Sequence, residues 1–215
     1  MDPIRLPLLP HQYEFCTYAD PAPLLLDGGF GAGKTDPLCI WAILQADAYP
    51  QNLILLGRQE YTDLADSTMK SFFDVLDRME LPKTWNEQRK TYTHPNGSEV
   101  LFRHLDDEAG LKNLNLGAAG IDQAEEVLPD RVDLIGGRLR RTCEACRALG
   151  PEPARHCPHF SRQLRLTANP NGHDYLWQLF YGPDSIRWQS PHIPEHASWS
   201  PDAREGYTVI RCTSL

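Results

Sequence analysis

The run GGFGAGKT at residues 28–35 limits what this chain can fold into more than any other stretch. Gly28, Gly29, Phe30, Gly31, Ala32, Gly33, Lys34 and Thr35 fill every fixed position of the pattern G-x-x-x-x-G-K-[ST]. Glycines in such a loop permit unusual backbone angles and close approach, so successive amides and the N-terminus of a following helix can surround phosphate oxygens. Lys34 then brings positive charge to the terminal phosphates, and the Thr35 hydroxyl is suited to the magnesium ion that accompanies them. The flanks supply what an ordinary glycine turn lacks. PLLLD ahead of the loop is a short apolar run of strand length, and TDPLCIWAILQ after it has apolar residues suited to one or more faces of a helix. Pro37 falls in the first helical turn, where its missing donor costs little. Strand, glycine loop and helix together predict nucleotide binding.

The alternation repeats. NLILLGR at 52–58 reads as a second strand, and YTDLADSTMKSFFDVLDRM as a helix with Leu64, Met69, Phe72, Phe73 and Leu76 on one stripe. This pattern predicts an α/β fold of the P-loop NTPase kind: a mostly parallel central sheet flanked by helices, because parallel strands bury both faces. RKTYTHPNGSEVLFRH at 89–104 predicts a hairpin around HPNGS. LNLGAAGI at 114–121 predicts a buried strand ending at Asp122, ahead of the helix-compatible QAEEV. RQLRLTAN at 162–169 predicts another strand and HDYLWQLFY at 173–181 a short helix, with weaker extended patterns in SIRWQS and GYTVIRC. If the strand at 114–121 lies beside the loop strand, Asp122 positions magnesium, directly or through water; helix capping is its competing use. Glu125 and Glu126 are the nearby carboxylates for polarising an attacking water, against the plainer use of charge in a first helical turn. Gln123 can orient water but cannot take its proton.

A length of 215 residues, 41% apolar and 23% charged, suits one ordinary domain and excludes fibrous and disordered classes. A net charge of −8 argues against a surface that binds nucleic acid everywhere. The N-terminus lacks the basic start and unbroken apolar run of a signal peptide, and no apolar run approaches the roughly 20 residues needed to cross a bilayer, so no membrane partner is expected. Cys143, Cys146, Cys157 and His159 give C-x2-C-x10-C-x-H, enough ligands for a closed structural zinc site, with His156 as a substitute for His159. Reduced thiols or one disulfide are the alternatives. Between 138 and 165, seven arginines against two glutamates give a local charge of +5, suited to a phosphate backbone, an acidic neighbouring subunit or plain solvation.

GGFGAGKT at 28–35, GRQEYTDLADST at 57–68, PNGSEVLFRHLDD at 95–107, GIDQAEEV at 120–127 and TANPNGHDYLW at 167–177 occur in one order. Together they resemble the N-terminal ATPase part of the large terminase subunit of tailed bacteriophages. The resemblance implies ATP and Mg2+ as cofactors and an ATPase that drives double-stranded viral DNA into a procapsid. Its implied partners are the portal protein, the small terminase subunit and identical subunits in a ring, in the host cytoplasm and transiently at the portal. It also implies that residues 1–215 form the ATPase domain, with the C-terminal nuclease domain of complete forms absent; the zinc-binding insertion that the cysteine spacing predicts at 143–159 is an addition to the family's simplest pattern. On the same resemblance Gln12 in LPHQYEF matches the adenine-recognising glutamine. Arg58 matches the basic residue after the second core strand, and Thr167 and Asn169 match the segment that couples hydrolysis to movement. Two departures stand out. Phe30 occupies a position where arginine is common, so a neighbouring subunit is the expected source of that charge, with Arg138 a candidate. Gln123 stands where glutamate is common, which keeps both Glu125 and Glu126 open as the base. The rival readings are a helicase-like nucleic-acid ATPase and a nucleotide-gated assembly module with negligible turnover.

Overall fold

The computed structural model describes residues 5–20, 22–155, 157–169, 171–172, 174–181 and 208–212. His156, all of SIRWQS, the first two residues of GYTVIRC and part of the 170–173 turn lie outside them. In chain order the elements are α1 (Pro10–Thr17), β1 (Leu24–Gly28), α2 (Thr35–Ala48) and β2 (Leu53–Arg58). Next come α3 (Tyr61–Asp63), a π-helical turn (Leu64–Met69) and α4 (Lys70–Arg78). The hairpin region holds β3 (Trp85–Asn86), β4 (Thr91–Thr93) and β5 (Glu99–His104). α5 (Glu108–Lys112), β6 (Ala118–Ile121), a 3-10 turn (Ala124–Glu126) and α6 (Pro129–Gly136) follow. The chain continues through α7 (Glu144–Ala148), α8 (Pro151–Arg155), β7 (Gln163–Ala168), α9 (Tyr175–Tyr181) and β8 (Thr208–Cys212).

The sheet order is β3-β4-β5-β2-β6-β7-β1-β8. Every pairing from β5 to β8 is parallel, and β3 and β4 add an antiparallel edge. The strand residues alternate between two cores, as period-2 side-chain geometry requires. Leu24, Leu26, Ile54, Leu56, Phe102 and Ile210 face α1, α2 and α4. Leu25, Leu55, Leu101, Leu164, Leu166 and Val209 face α6 and α9. α2 is apolar nearly all round because it lies across the sheet centre, with Leu38, Cys39, Trp41, Ala42, Ile43 and Ala46 all fully buried. Its closeness explains the small residues of β6: a Cβ on Gly120 would lie 2.7 Å from Leu56 and 3.0 Å from Leu38. α4 carries a true one-sided stripe, in which Phe72 meets the rings of Tyr92 and Phe102 edge-on at 5.3 and 5.1 Å.

Three expectations change. The strand that ends at Asp122 does not lie beside the loop strand: β7 separates β6 from β1, and Asp122 nonetheless comes within 3.1 Å of Thr35 Oγ1. QAEEV forms a single 3-10 turn rather than a full helix, entered through Gln123 at φ 49°. Arg165 is not part of a basic surface. It is fully buried, with its guanidinium over the rings of Phe15, Tyr18 and Trp41 and donating to the Tyr18 carbonyl. As an inward-facing residue of a strand buried on both sides, it has aromatic faces and a carbonyl as its compensation. Arg141 and Arg162 are also turned to main-chain carbonyls: Arg141 to Gln51 and Asn115, Arg162 to Arg141 and Ala154. The local excess of positive charge is therefore partly structural.

Candidate functional site

Parallel strands aligned in one sheet bring the residues that follow them to a common edge, where open α/β sheets bind ligands. Here β1 delivers the glycine loop, β2 delivers Arg58, β6 delivers Asp122 and β7 delivers Asn169. They line a cavity of about 440 Å3, together with Phe30, Thr35, Gln123 and, from the π-helical turn and α4, Ser67 and Ser71. The size suits a small-molecule ligand.

In the loop, Gly31 and Gly33 take φ of 75° and 65°, which glycine adopts without a steric cost. Phe30 stands at its outer face, 80% exposed. Lys34 folds inward, and its ammonium donates to the carbonyls of Gly28 at 2.7 Å and Gly29 at 2.8 Å and to Asn169 Oδ1 at 2.8 Å. Gln12 reaches the loop from α1: its Oε1 accepts from the Leu9 amide and its Nε2 donates to the Gly33 carbonyl. One amide hydrogen and one carbonyl lone pair of Gln12 remain beyond these two bonds.

Asp122 is buried, and three hydroxyls converge on its carboxylate. Thr35 Oγ1 lies 3.1 and 3.2 Å from its two oxygens, Thr68 Oγ1 2.8 Å and Thr167 Oγ1 2.6 Å. Thr35 and Asp122 thus form an all-oxygen donor set, of the hardness that Mg2+ prefers. The residues present fit that ion. The Thr167 hydroxyl also accepts from the Gln123 amide, which fixes the left-handed residue after Asp122. Backbone departures of this sort cluster at functional sites.

The two glutamates separate cleanly. Glu125 accepts from Asn169 Nδ2, and burial pushes its carboxyl above the usual carboxylate range, opposed by hydrogen bonds from its own amide and from Asn169. Glu126 instead turns to Arg58, with Oε2 3.6 Å from Nε, while Asp63 approaches the same guanidinium at 3.9 Å. Lys34, Asn169 and Glu125 therefore form one hydrogen-bonded chain.

Sequence reading missed Thr68. Its signal was the hydroxyl-rich DSTMKS, with Ser67 and Ser71 one helical turn apart on a segment whose apolar stripe lies elsewhere, and a π-helical turn is a recurring mark of functional sites. Asp27, just ahead of the loop, was missed too. It is buried, accepts from the Tyr181 hydroxyl, and has its carboxyl pushed up by burial. Cys143, Cys146, Cys157 and His159 do converge, but beside Tyr49, Pro50 and Gln51 at the opposite edge of the sheet. Arg138 is at that same edge, its carbonyl bonded to the Leu116 amide ahead of β6.

A parallel sheet wrapped by helices, with a lysine-bearing glycine loop between its first strand and the helix across its centre, defines a P-loop NTPase fold. The sequence model of the phage terminase large subunit family matches residues 24–200. The chain belongs to that family. No curated protein matches it. Among solved structures, it is similar to the large terminase of a thermophilic bacteriophage, with 14% identity and a TM-score of 0.63 over 80% of this chain and 41% of that one. It is also similar to the large terminase ATPase domain of Thermus phage P74-26, with 13% identity and a TM-score of 0.57 over 93% and 78% of the two chains. The bacteriophage HK97 large terminase matches with 15% identity and a TM-score of 0.51 over 76% and 33%. At these identities the likeness establishes the fold. The chain spans about two fifths of the thermophilic bacteriophage protein, which has also been seen with ADP and with ATP-gamma-S.

Proposed function

We propose that residues 1–215 act as the ATP-hydrolysing domain of a motor that moves double-stranded viral DNA into a procapsid. The observation that carries this reading is the chain Lys34–Asn169–Glu125 beside the Thr35–Asp122 oxygen pair, with Lys34, Asn169, Thr35 and Asp122 lining one cavity at the loop and Glu125 bonded to Asn169 behind it. Family membership and the ADP and ATP-gamma-S complexes of the thermophilic bacteriophage protein support ATP as the ligand.

On this reading the loop amides and the N-terminus of α2 hold the phosphates, and Lys34 exchanges its carbonyl partners for phosphate oxygens. Thr35 and Asp122 hold Mg2+, which neutralises charge on the terminal phosphates when bound. Gln12 offers its remaining donor and acceptor to the base edge. Glu125 takes the proton of the attacking water: its raised pKa brings it closer to the proton it must accept, and Asn169 fixes its orientation. Glu126 holds Arg58 at the cavity wall. Because Asn169 contacts both the ammonium and the base, movement of Lys34 toward phosphate changes the constraint on Glu125, which supports a coupling role for Asn169 and Thr167. Phe30 offers no charge, so the arginine contact to the transferred phosphate comes from a neighbouring copy in the ring. The partners of this reading are DNA, the portal and procapsid, the small terminase subunit and further copies of this chain, in the host cytoplasm. Among the described residues no helix is long and apolar enough to cross a membrane.

The test is ATP turnover with and without double-stranded DNA and procapsids, in the chain as it stands and in Lys34→Ala. DNA-stimulated turnover that the substitution abolishes is the expected result. Strand separation without a procapsid requirement would point to a helicase instead, and ATP binding with negligible turnover under every condition to an assembly module.

A further inference from the structure

The cluster at the other edge of the sheet has a different chemistry. Cys143, Cys146, Cys157 and His159 place their ligand atoms within 4.8 Å of one another. The three sulfurs lie 3.2, 3.6 and 3.6 Å from His159 Nδ1. Zn–S and Zn–N bonds of about 2.3 and 2.0–2.1 Å at tetrahedral angles require S···N edges of about 3.6 Å and S···S edges of about 3.8 Å. The three sulfur-to-nitrogen edges are therefore already close to those of a zinc tetrahedron, and the sulfurs lie within 4.8 Å of one another. The local backbone is arranged in the same sense. The Cys146 amide donates to Cys143 Sγ at 3.3 Å and the Cys143 amide to Cys157 Sγ at 3.4 Å, so main-chain donors hold two of the three sulfurs in place. None of the described cysteines is in a disulfide, and one disulfide would engage only two of three convergent sulfurs.

We propose that Cys143, Cys146, Cys157 and His159 bind one structural Zn2+ ion that fastens the 143–159 insertion to the sheet. Four protein ligands leave no open position, which assigns the ion to structure rather than catalysis. Three soft thiolates with one imidazole select zinc over the hard cation of the nucleotide cavity. The packing shows why an ion is needed. The insertion's apolar cluster has three buried residues, Cys146, Cys157 and Phe160, and two of them are ligands. Hydrophobic burial offers this segment little else to hold α7 and α8 in place. What the ion secures is a set of contacts to the body: Phe160 beneath the Arg141 guanidinium at 5.6 Å, Arg141 on the Gln51 and Asn115 carbonyls, and the Arg162 amide on the Gly117 carbonyl. The assignment stands independently of the ATPase reading, since its residues share no contact with the nucleotide cavity.

The experiment is elemental analysis of the full chain purified under reducing conditions without chelators, followed by replacement of the bound metal with Co2+. About one zinc per chain is expected, and a cobalt form with the intense visible bands of tetrahedral thiolate coordination. His159→Cys should keep the ion in an all-sulfur site, while His159→Ala should weaken zinc binding by about tenfold or more. Zinc well below one equivalent together with a six-coordinate cobalt spectrum overturns the proposal. So does stoichiometric iron in place of zinc. Because the cobalt spectrum is read on the unsubstituted chain, misfolding of a variant does not blunt the test, and ATP turnover plays no part in the readout.

Discussion

Replacing Glu125 by glutamine tests the division of labour between the two glutamates. The substitution keeps size and shape, and the new amide oxygen can still accept the Asn169 Nδ2 hydrogen that Glu125 Oε1 accepts now. Lys34, Thr35 and Asp122 keep all their partners, so ATP affinity should stay within about threefold. What is lost is a proton acceptor, and positioned general bases contribute about 10²- to 10⁴-fold to rate. That corresponds to about 3–5 kcal/mol of barrier. Glu126→Gln should behave differently. Its partner atom on Arg58 lies 3.6 Å away, beyond a direct hydrogen bond, and its side chain is 39% exposed, so the pair is worth at most about 1 kcal/mol, or about fivefold. Stability moves the other way from rate. Burial raises the folded-state pKa of Glu125 above its unfolded value, so the folded state binds the extra proton and stability falls as pH rises through that window. At neutral pH the ionised, desolvated carboxylate is a cost that glutamine removes, and Glu125→Gln should melt no lower than the parent chain. Rate should likewise fall as pH drops through the raised Glu125 pKa, because the base becomes protonated. The assays are single-turnover hydrolysis, nucleotide binding by calorimetry, and thermal melts of both variants with DNA and procapsids supplied for the rate. Parental turnover in Glu125→Gln, or a crippled Glu126→Gln beside it, would refute the assignment.

Two further outcomes follow from the same geometry. Thr68→Val keeps the side chain's shape but deletes its 2.8 Å bond to buried Asp122, a type of bond worth about 1.5–3 kcal/mol. The Mg2+ concentration that half-activates hydrolysis should rise severalfold and return with Thr68→Ser; an unchanged Mg2+ titration would deny Thr68 any part in placing the carboxylate. Gly28→Ala would put a Cβ 2.1 Å from Cys212 Sγ and 2.5 Å from its carbonyl oxygen, so β1 and β8 must shift apart at a cost of about 1–3 kcal/mol. For a domain of this size that lowers the melting temperature by about 2–4 °C per kcal/mol, which calorimetry will detect or rule out.

The loop, its strand and its helix were legible because glycine, lysine and threonine at fixed spacing have few other uses, and the strands of the central sheet announced themselves as short apolar runs. Asp122 was legible as the acidic end of such a run. The reading failed where a side chain's partner is set by tertiary placement alone. Nothing local distinguishes Glu125 from Glu126, and only the position of β7 beside β6 puts Asn169 against the first and leaves the second to Arg58. Arg165 looked like one more surface charge among seven arginines, since sequence does not say that Phe15, Tyr18 and Trp41 will stack around it. The convergence of the cysteines was readable from spacing, whereas their edge of the sheet was not.

β7 runs from one of these edges to the other. Its first residue, Gln163, follows the insertion after three intervening residues, and its last two positions before the loop, Thr167 and Ala168, lead to Asn169. Six residues of extended chain span about 16–20 Å and barely stretch. Paired on both sides, to β6 and β1, β7 works as a stiff rod in a laminate. On the proposed reading, a load applied to the insertion would arrive at Thr167 and Asn169 along covalent bonds, and a displacement at the lysine would return by the same line.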